Sequence, residues 1–169
     1  MNEGHLSLES QVGSGTTFKI HLPKYTSDHV PTEVTPIPTP RIKGRIVVVD
    51  DEVFVANFIG ELLRDKGYPT VVFHDSPKAQ DYLIDNMDSV ALLVTDGSMP
   101  VISGIELLER CRNVKADLPV IFITAYAQEM DLQAIRRLRV NTFLRKPFSI
   151  DDLLTAVGKL VELEAAETS

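Results

Sequence analysis

From residue 44 to about 163 the chain repeats one pattern five times: a short β-branched run, then a segment with apolar residues at helical spacing. Arg45-Ile46-Val47-Val48-Val49 is apolar at successive positions, as a strand buried on both faces requires. Residues 53–66 follow with Val55, Phe58, Ile59, Leu62 and Leu63 on one helical stripe, and Gly67 stops them. A strand over 69–73 precedes a helix opened by Ser76 as N-cap with Pro77 at its first position. Strands at 91–95, 120–123 and 142–144 alternate with helices at 104–113 and 128–139. A last helix starts after Ser149, where Ser149 and Asp152 form an acidic capping box. Five such units predict an α/β fold: an open five-stranded parallel sheet, doubly wound with helices on both faces. Sheets of this kind carry their sites at the carboxyl ends of the strands.

Those ends hold the chain's most informative side chains. The first strand ends in Asp50-Asp51, followed by Glu52. The third ends in Asp96, the fourth in Thr124, and the fifth just before Lys146-Pro147. Each alone has a plain reading, an Asp as a helix cap or a Lys in solvent. Together they bring three carboxylates, a hydroxyl and an ammonium to one edge. Carboxylates packed there repel one another and stay ionised only with a cation among them. Oxygen ligands suit a hard cation, Mg²⁺ before Ca²⁺, whereas zinc would want nitrogen or sulfur. Carboxylates, Mg²⁺ and one lysine suit a phosphoryl group, with a hydroxyl donating to one of its oxygens.

Residues 44–163 resemble the receiver domain of two-component response regulators. The matching motifs are Val47-Val48-Val49-Asp50-Asp51-Glu52, Asp96-Gly97-Ser98-Met99-Pro100 with Ser103-Gly104-Ile105-Glu106-Leu107, Thr124-Ala125, and Lys146-Pro147-Phe148. The resemblance implies a flavodoxin-like strand order, 2-1-3-4-5, and roles by position. Asp96 is then the phosphoacceptor. Asp51, Asp96 and the Ser98 backbone carbonyl are Mg²⁺ ligands, with Asp50 acting through water. Thr124 and Lys146 bind phosphoryl oxygens, and Thr124 and Phe143 form the switch. The Lys146-Pro147 bond is expected to be cis. Ser98 and Tyr126 flank the site, where Tyr126 is expected to shield the acyl phosphate. Val53, Phe54, Pro147 and Phe148 form an apolar patch for docking a phosphohistidine donor, either a histidine kinase dimerisation domain or a histidine phosphotransfer protein. A second copy of the chain is a further allowed partner. Leu138-Arg139-Val140-Asn141 departs from the family in lacking a small Gly-Ala pair before the fifth strand.

Residues 1–24 read differently. Two alternating runs, His5 to Ser10 and Thr17 to Leu22, flank a glycine-rich turn and predict a β-hairpin. Gly13-Ser14-Gly15-Thr16-Thr17-Phe18 resembles the last glycine box of a sensor histidine kinase ATP-binding domain. Residues 25–43, with Pro31, Pro36, Pro38 and Pro40, form a semi-stiff linker; the PxxP spacing carries no basic residue but Arg41 to make it a docking motif. Residues 164–169 are a tail. This layout implies the receiver of a hybrid histidine kinase, in a stretch without kinase activity. None of His5, His21, His29 and His74 lies on a helix suited to donate a phosphoryl group.

Composition removes other classes. A net charge of -7 opposes general binding to nucleic acid or an anionic membrane. The absence of a long apolar run or signal segment leads us to expect a cytoplasmic location. Cys111, the single cysteine, reads as a buried hydrophobe. Two alternatives remain. A Mg²⁺-dependent phosphatase of the haloacid-dehalogenase type needs nucleophile and general acid two residues apart on the first strand, whereas Asp50 and Asp51 are adjacent. A degenerate receiver serving as a constitutive interaction module is opposed by retention of the acids, Thr124 and Lys146.

Overall fold

The structure is a computed structural model that describes residues 5–11, 13, 15–21, 42–125, 133–134 and 136–167. It divides into two units, Met1–Pro36 and Ile37–Ser169. In the first, β1 (His5–Gln11) pairs antiparallel with β2 (Gly15–His21). Gly13 (φ 82) and Gly15 (φ 96) supply the left-handed backbone that the turn needs.

In the second unit, β3 (Arg45–Val49), β4 (Thr70–Phe73), β5 (Val90–Asp96), β6 (Val120–Thr124) and β7 (Thr142–Arg145) form one parallel sheet in the order β4-β3-β5-β6-β7. This is the expected order, with the switch point between β3 and β5. The helices are α1 (Val53–Asp65), α2 (Ser76–Asn86), α3 (Gly104–Val114) and α4 (Ile150–Glu167). The helix expected at 128–139 lies mostly outside the described residues; 133, 134, 136 and 137 are helical.

Alternation along the strands splits the core in two. Val47, Val49, Leu93 and Val120 pack with Ala79 and Leu83 of α2 and Leu107, Leu108 and Cys111 of α3. Ile46, Val48, Leu92, Val94, Ile121 and Ile123 pack with Ile59 and Leu63 of α1 and Leu153, Val157 and Leu160 of α4. The continuous apolar strands thus serve two cores at once. The α1 stripe needs one correction. Phe58 is 44% exposed, and Ala56 and Gly60 are buried in its place. The close approach of β4 explains it: a Cβ at Gly60 would lie 2.4 Å from the Val72 side chain, so the contact face is rotated toward small residues.

A second correction concerns α2. Its N-cap is Asp75, whose carboxylate accepts the Lys78 N–H at 2.9 Å, and Ser76 lies one residue inside the helix. The caps of α3 and α4 follow sequence logic. Ser103 and Glu106 form a full capping box on α3. Ser149 and Asp152 exchange the equivalent bonds at the start of α4.

The stretch 138–141 has its own solution where small residues are absent. The Arg112 guanidinium donates to the carbonyls of Leu118 (2.6 Å), Leu138 (2.9 Å) and Arg139 (3.1 Å). The Asn141 Oδ1 accepts the Val120 N–H at 2.9 Å. Arg139 takes the left-handed conformation, φ 52.

Candidate functional site

The carboxyl ends of β3, β5, β6 and β7 meet at the switch point. Asp50 directly follows β3, Asp96 and Thr124 end β5 and β6, and Lys146 follows β7. Asp50, Asp96 and Thr124 are 2%, 5% and 3% exposed, buried polar groups at the end of apolar strands. Groups placed so need partners, because an unpaired buried charge is costly.

Lys146 is the partner of both acids. Its Nζ lies 2.6 Å from Asp96 Oδ1, 3.0 Å from Asp50 Oδ2 and 3.4 Å from Glu52 Oε1. The remaining oxygens take backbone donors. Asp96 Oδ2 accepts the Ser98 N–H at 2.6 Å, and Asp50 Oδ1 accepts the Glu52 N–H at 2.9 Å. The orientation of both carboxylates is therefore set by two donors each. The Lys146 backbone N–H donates to the Thr124 carbonyl at 2.9 Å, and the Lys146-Pro147 peptide is cis, as expected. Through that bond the register of β7 on β6 places the lysine over the acids.

The electrostatics follow. Burial raises the Asp50 carboxyl above its ordinary 3.8, with the Glu52 amide and Lys146 acting in the opposite direction. Burial works against the Lys146 ammonium, yet the hydrogen bonds and charges of Asp96 and Asp50 together outweigh it and raise its pKa. The lysine stays charged throughout the physiological range.

Asp51, Glu52 and Ser98 are exposed beside this cluster. Among the described residues no three His, Cys, Asp or Glu side chains are grouped to hold a metal ion by themselves. The donors at the cluster are carboxylate oxygens, the kind that suits a hard cation. Asp50, Asp51, Glu52 and Asp96 also outnumber the single ammonium among them, so a further positive charge fits.

Phe143 is half-buried on the edge strand β7, in register with Phe122. Val53 (55%), Phe54 (83%) and Pro147 are exposed, whereas Phe148 packs partly against the α1/α4 core. Tyr126 lies outside the described residues. Sequence reasoning missed three contributors. Glu52 was given no partner, yet it touches Lys146. Gly104 packs against the backbone of Asp96, where a Cβ would lie 2.1 Å from the Asp96 carbonyl oxygen. Ser76, read as a cap, instead bonds across to the segment after Asp96. Glu52 and Gly104 lay inside matched motifs and so carried a local signal, whereas the cross-contact of Ser76 carried none.

Comparison with known proteins bears on this geometry. The family described as Response regulator receiver domain matches residues 46–158. The transcriptional regulatory protein DltR of Streptococcus agalactiae is 34% identical over 113 residues, covering 67% of this chain and 50% of DltR. The sensor protein EvgS of Escherichia coli is 33% identical over 162 residues, covering 94% of this chain and 13% of EvgS. The chain thus spans about half the length of DltR and a small part of EvgS. Among solved structures, the Francisella response regulator 1452 receiver domain superposes with a TM-score of 0.64 at 29% identity, covering 72% of this chain and 98% of that one.

Proposed function

The chain belongs to the response regulator receiver domain family, and from that premise we propose that it accepts a phosphoryl group on Asp96 from a phosphohistidine donor. The observation that carries this reading is the Lys146 ammonium held on Asp96 and Asp50 together, at 2.6 and 3.0 Å. In the reaction an Asp96 carboxylate oxygen attacks phosphorus, the P–N bond to the donor imidazole breaks, and the leaving imidazole retains the electron pair and takes a proton. An acyl phosphate remains. The task of the protein is positioning and charge neutralisation. Asp96 is oriented by Ser98 and Lys146, and the ammonium can follow the negative charge onto the phosphoryl oxygens. Thr124, buried at the end of β6, supplies a hydroxyl to another of them.

Mg²⁺ would be held by Asp51, Asp96 and the Ser98 carbonyl, with Asp50 contributing through water. When bound it supplies countercharge to the phosphoryl oxygens. Phosphorylation then draws Thr124 toward the new group and frees space for Phe143 on the neighbouring strand, a two-state change read on the outer surface. The exposed Val53, Phe54 and Pro147, with the partly buried Phe148, offer the donor an apolar contact beside the acids.

The wider setting is a two-component relay. The EvgS match runs through the hairpin and the proline-rich stretch as well as the receiver. On this reading residues 1–24 are a remnant of a kinase ATP-binding domain, 25–43 a linker, 44–163 the receiver and 164–169 a tail, in a cytoplasmic part of a hybrid kinase. Among the described residues no helix is long and apolar enough to cross a membrane.

Mixing the chain with a phosphorylated histidine phosphotransfer domain and Mg²⁺ tests the proposal. Label should leave the donor histidine and appear on the peptide containing Asp96. Label on any other residue, or transfer unaltered in Asp96→Asn, contradicts it.

A further inference from the structure

Ser76 is buried (4% exposed) in the first turn of α2, far in sequence from the acids. Its hydroxyl donates to the Pro100 carbonyl at 2.9 Å and accepts the Ile102 N–H at 3.3 Å. The two partners flank Val101, whose φ is 69. The Ile102 N–H also reaches the Pro100 carbonyl at 2.8 Å. A bond from residue i+2 back to residue i around a positive φ is the rarer, strained form of the γ-turn. A β-branched residue is among the least suited to it. Val101 is 85% exposed, so its side chain gains no core packing to offset that strain.

This turn ends a short segment with the site at its other end. Asp96 closes β5, Ser98 holds an Asp96 oxygen, and Met99 and Ile102 anchor the segment in the α2/α3 core. Gly104 then packs on the Asp96 carbonyl. A hydroxyl can donate and accept at once, so the Ser76 side chain closes both sides of the Val101 turn. An alanine there would leave the turn held by the single Ile102 to Pro100 bond.

We propose that Ser76 is a positioning residue for the site: its hydroxyl braces the strained Val101 turn and thereby fixes the segment whose Ser98 amide holds Asp96 and whose Ser98 carbonyl would face the metal. The functional consequence rests on the reading of that site as a Mg²⁺-dependent phosphoryl acceptor. The structural part does not.

The experiment is a double-mutant cycle of Ser76→Ala and Val101→Gly, with Mg²⁺ affinity by calorimetry and amide hydrogen exchange at Ser98 and Ile102 as readouts. In the wild-type background Ser76→Ala should weaken Mg²⁺ binding roughly 10-fold, the scale of a lost outer-shell contact. It should also accelerate exchange at both amides. Val101→Gly alone should bind Mg²⁺ like wild type, because glycine takes the turn without strain. In that background Ser76→Ala should lose most of its effect on both readouts. An unchanged affinity in Ser76→Ala overturns the positioning role, as does an equal loss in both backgrounds. Failure of the wild-type chain to bind Mg²⁺ would strike the functional reading. The exchange rates would then decide the bracing by themselves, and unaltered exchange in Ser76→Ala would overturn it.

Discussion

An ammonium 2.6 Å from one buried carboxylate and 3.0 Å from a second is both the structural and the chemical hinge of this site. Removing it leaves Asp50 and Asp96 facing each other with no cation on them in metal-free buffer. Breaking a buried pair this way costs about 3 kcal/mol. Lys146→Ala should therefore lower the unfolding free energy measured by urea titration in chelator by that order, and Mg²⁺ should restore part of the loss by binding the folded acids. A variant as stable as wild type in chelator would mean that the lysine neutralises nothing. Gly104→Ala is a steric test of the same acid. The added Cβ would sit 2.1 Å from the Asp96 backbone oxygen, so α3 or the end of β5 must move. A loss of about 3 kcal/mol, the upper part of the usual overpacking range, should appear in urea unfolding. It should come with slower phosphoryl acceptance, since the displaced atom belongs to the proposed acceptor residue.

At the scale of elements, α3 carries a group that reports on its own burial. Cys111 is 0% exposed, and burial pushes its thiol up to about 11 from an ordinary 9.0. The folded chain therefore holds this proton more tightly than the unfolded chain. The resulting stability is present below about pH 9 and lost as pH climbs toward 11. Two pKa units correspond to about 3 kcal/mol. The urea stability of wild type should fall more steeply over this window than that of Cys111→Ala, and parallel curves would contradict the burial. Elements were also where sequence and structure agreed best. Strand positions were legible because β-branched runs bounded by Gly, Pro and Asp have few other solutions. The capping box at Ser149 was visible because its partners lie three residues apart. The Ser76 cap was misread for the complementary reason. Asp75 offers a better acceptor one residue earlier, and the real partners of Ser76, at Pro100 and Ile102, leave no local trace. The Arg112 clamp on Leu118, Leu138 and Arg139 was equally hidden. The side-chain pattern of α3 says nothing about carbonyls that a loop will bring to its end. Phe58 followed helical periodicity onto the wrong face because the small Gly60 lets β4 come close.

For the whole molecule, topology turns these scattered residues into one site. The strand order puts β3 and β5 side by side with their helices leaving in opposite directions, so Asp50 and Asp96 border the same crevice. The register of β7 on β6 carries Lys146 over it from 96 residues away in sequence. Asp50, Asp96, Thr124 and Lys146 were legible from the strand-end rule with no contact known. The proposed metal and phosphoryl chemistry rest on their charges. Asp96 is the residue proposed to take the phosphoryl group. Incubation with acetyl phosphate and Mg²⁺, followed by intact mass, tests that most directly. Wild type should gain the mass of one phosphoryl group, and should gain none in excess chelator or as Asp96→Asn. No gain in wild type, or an equal gain in Asp96→Asn, would contradict it.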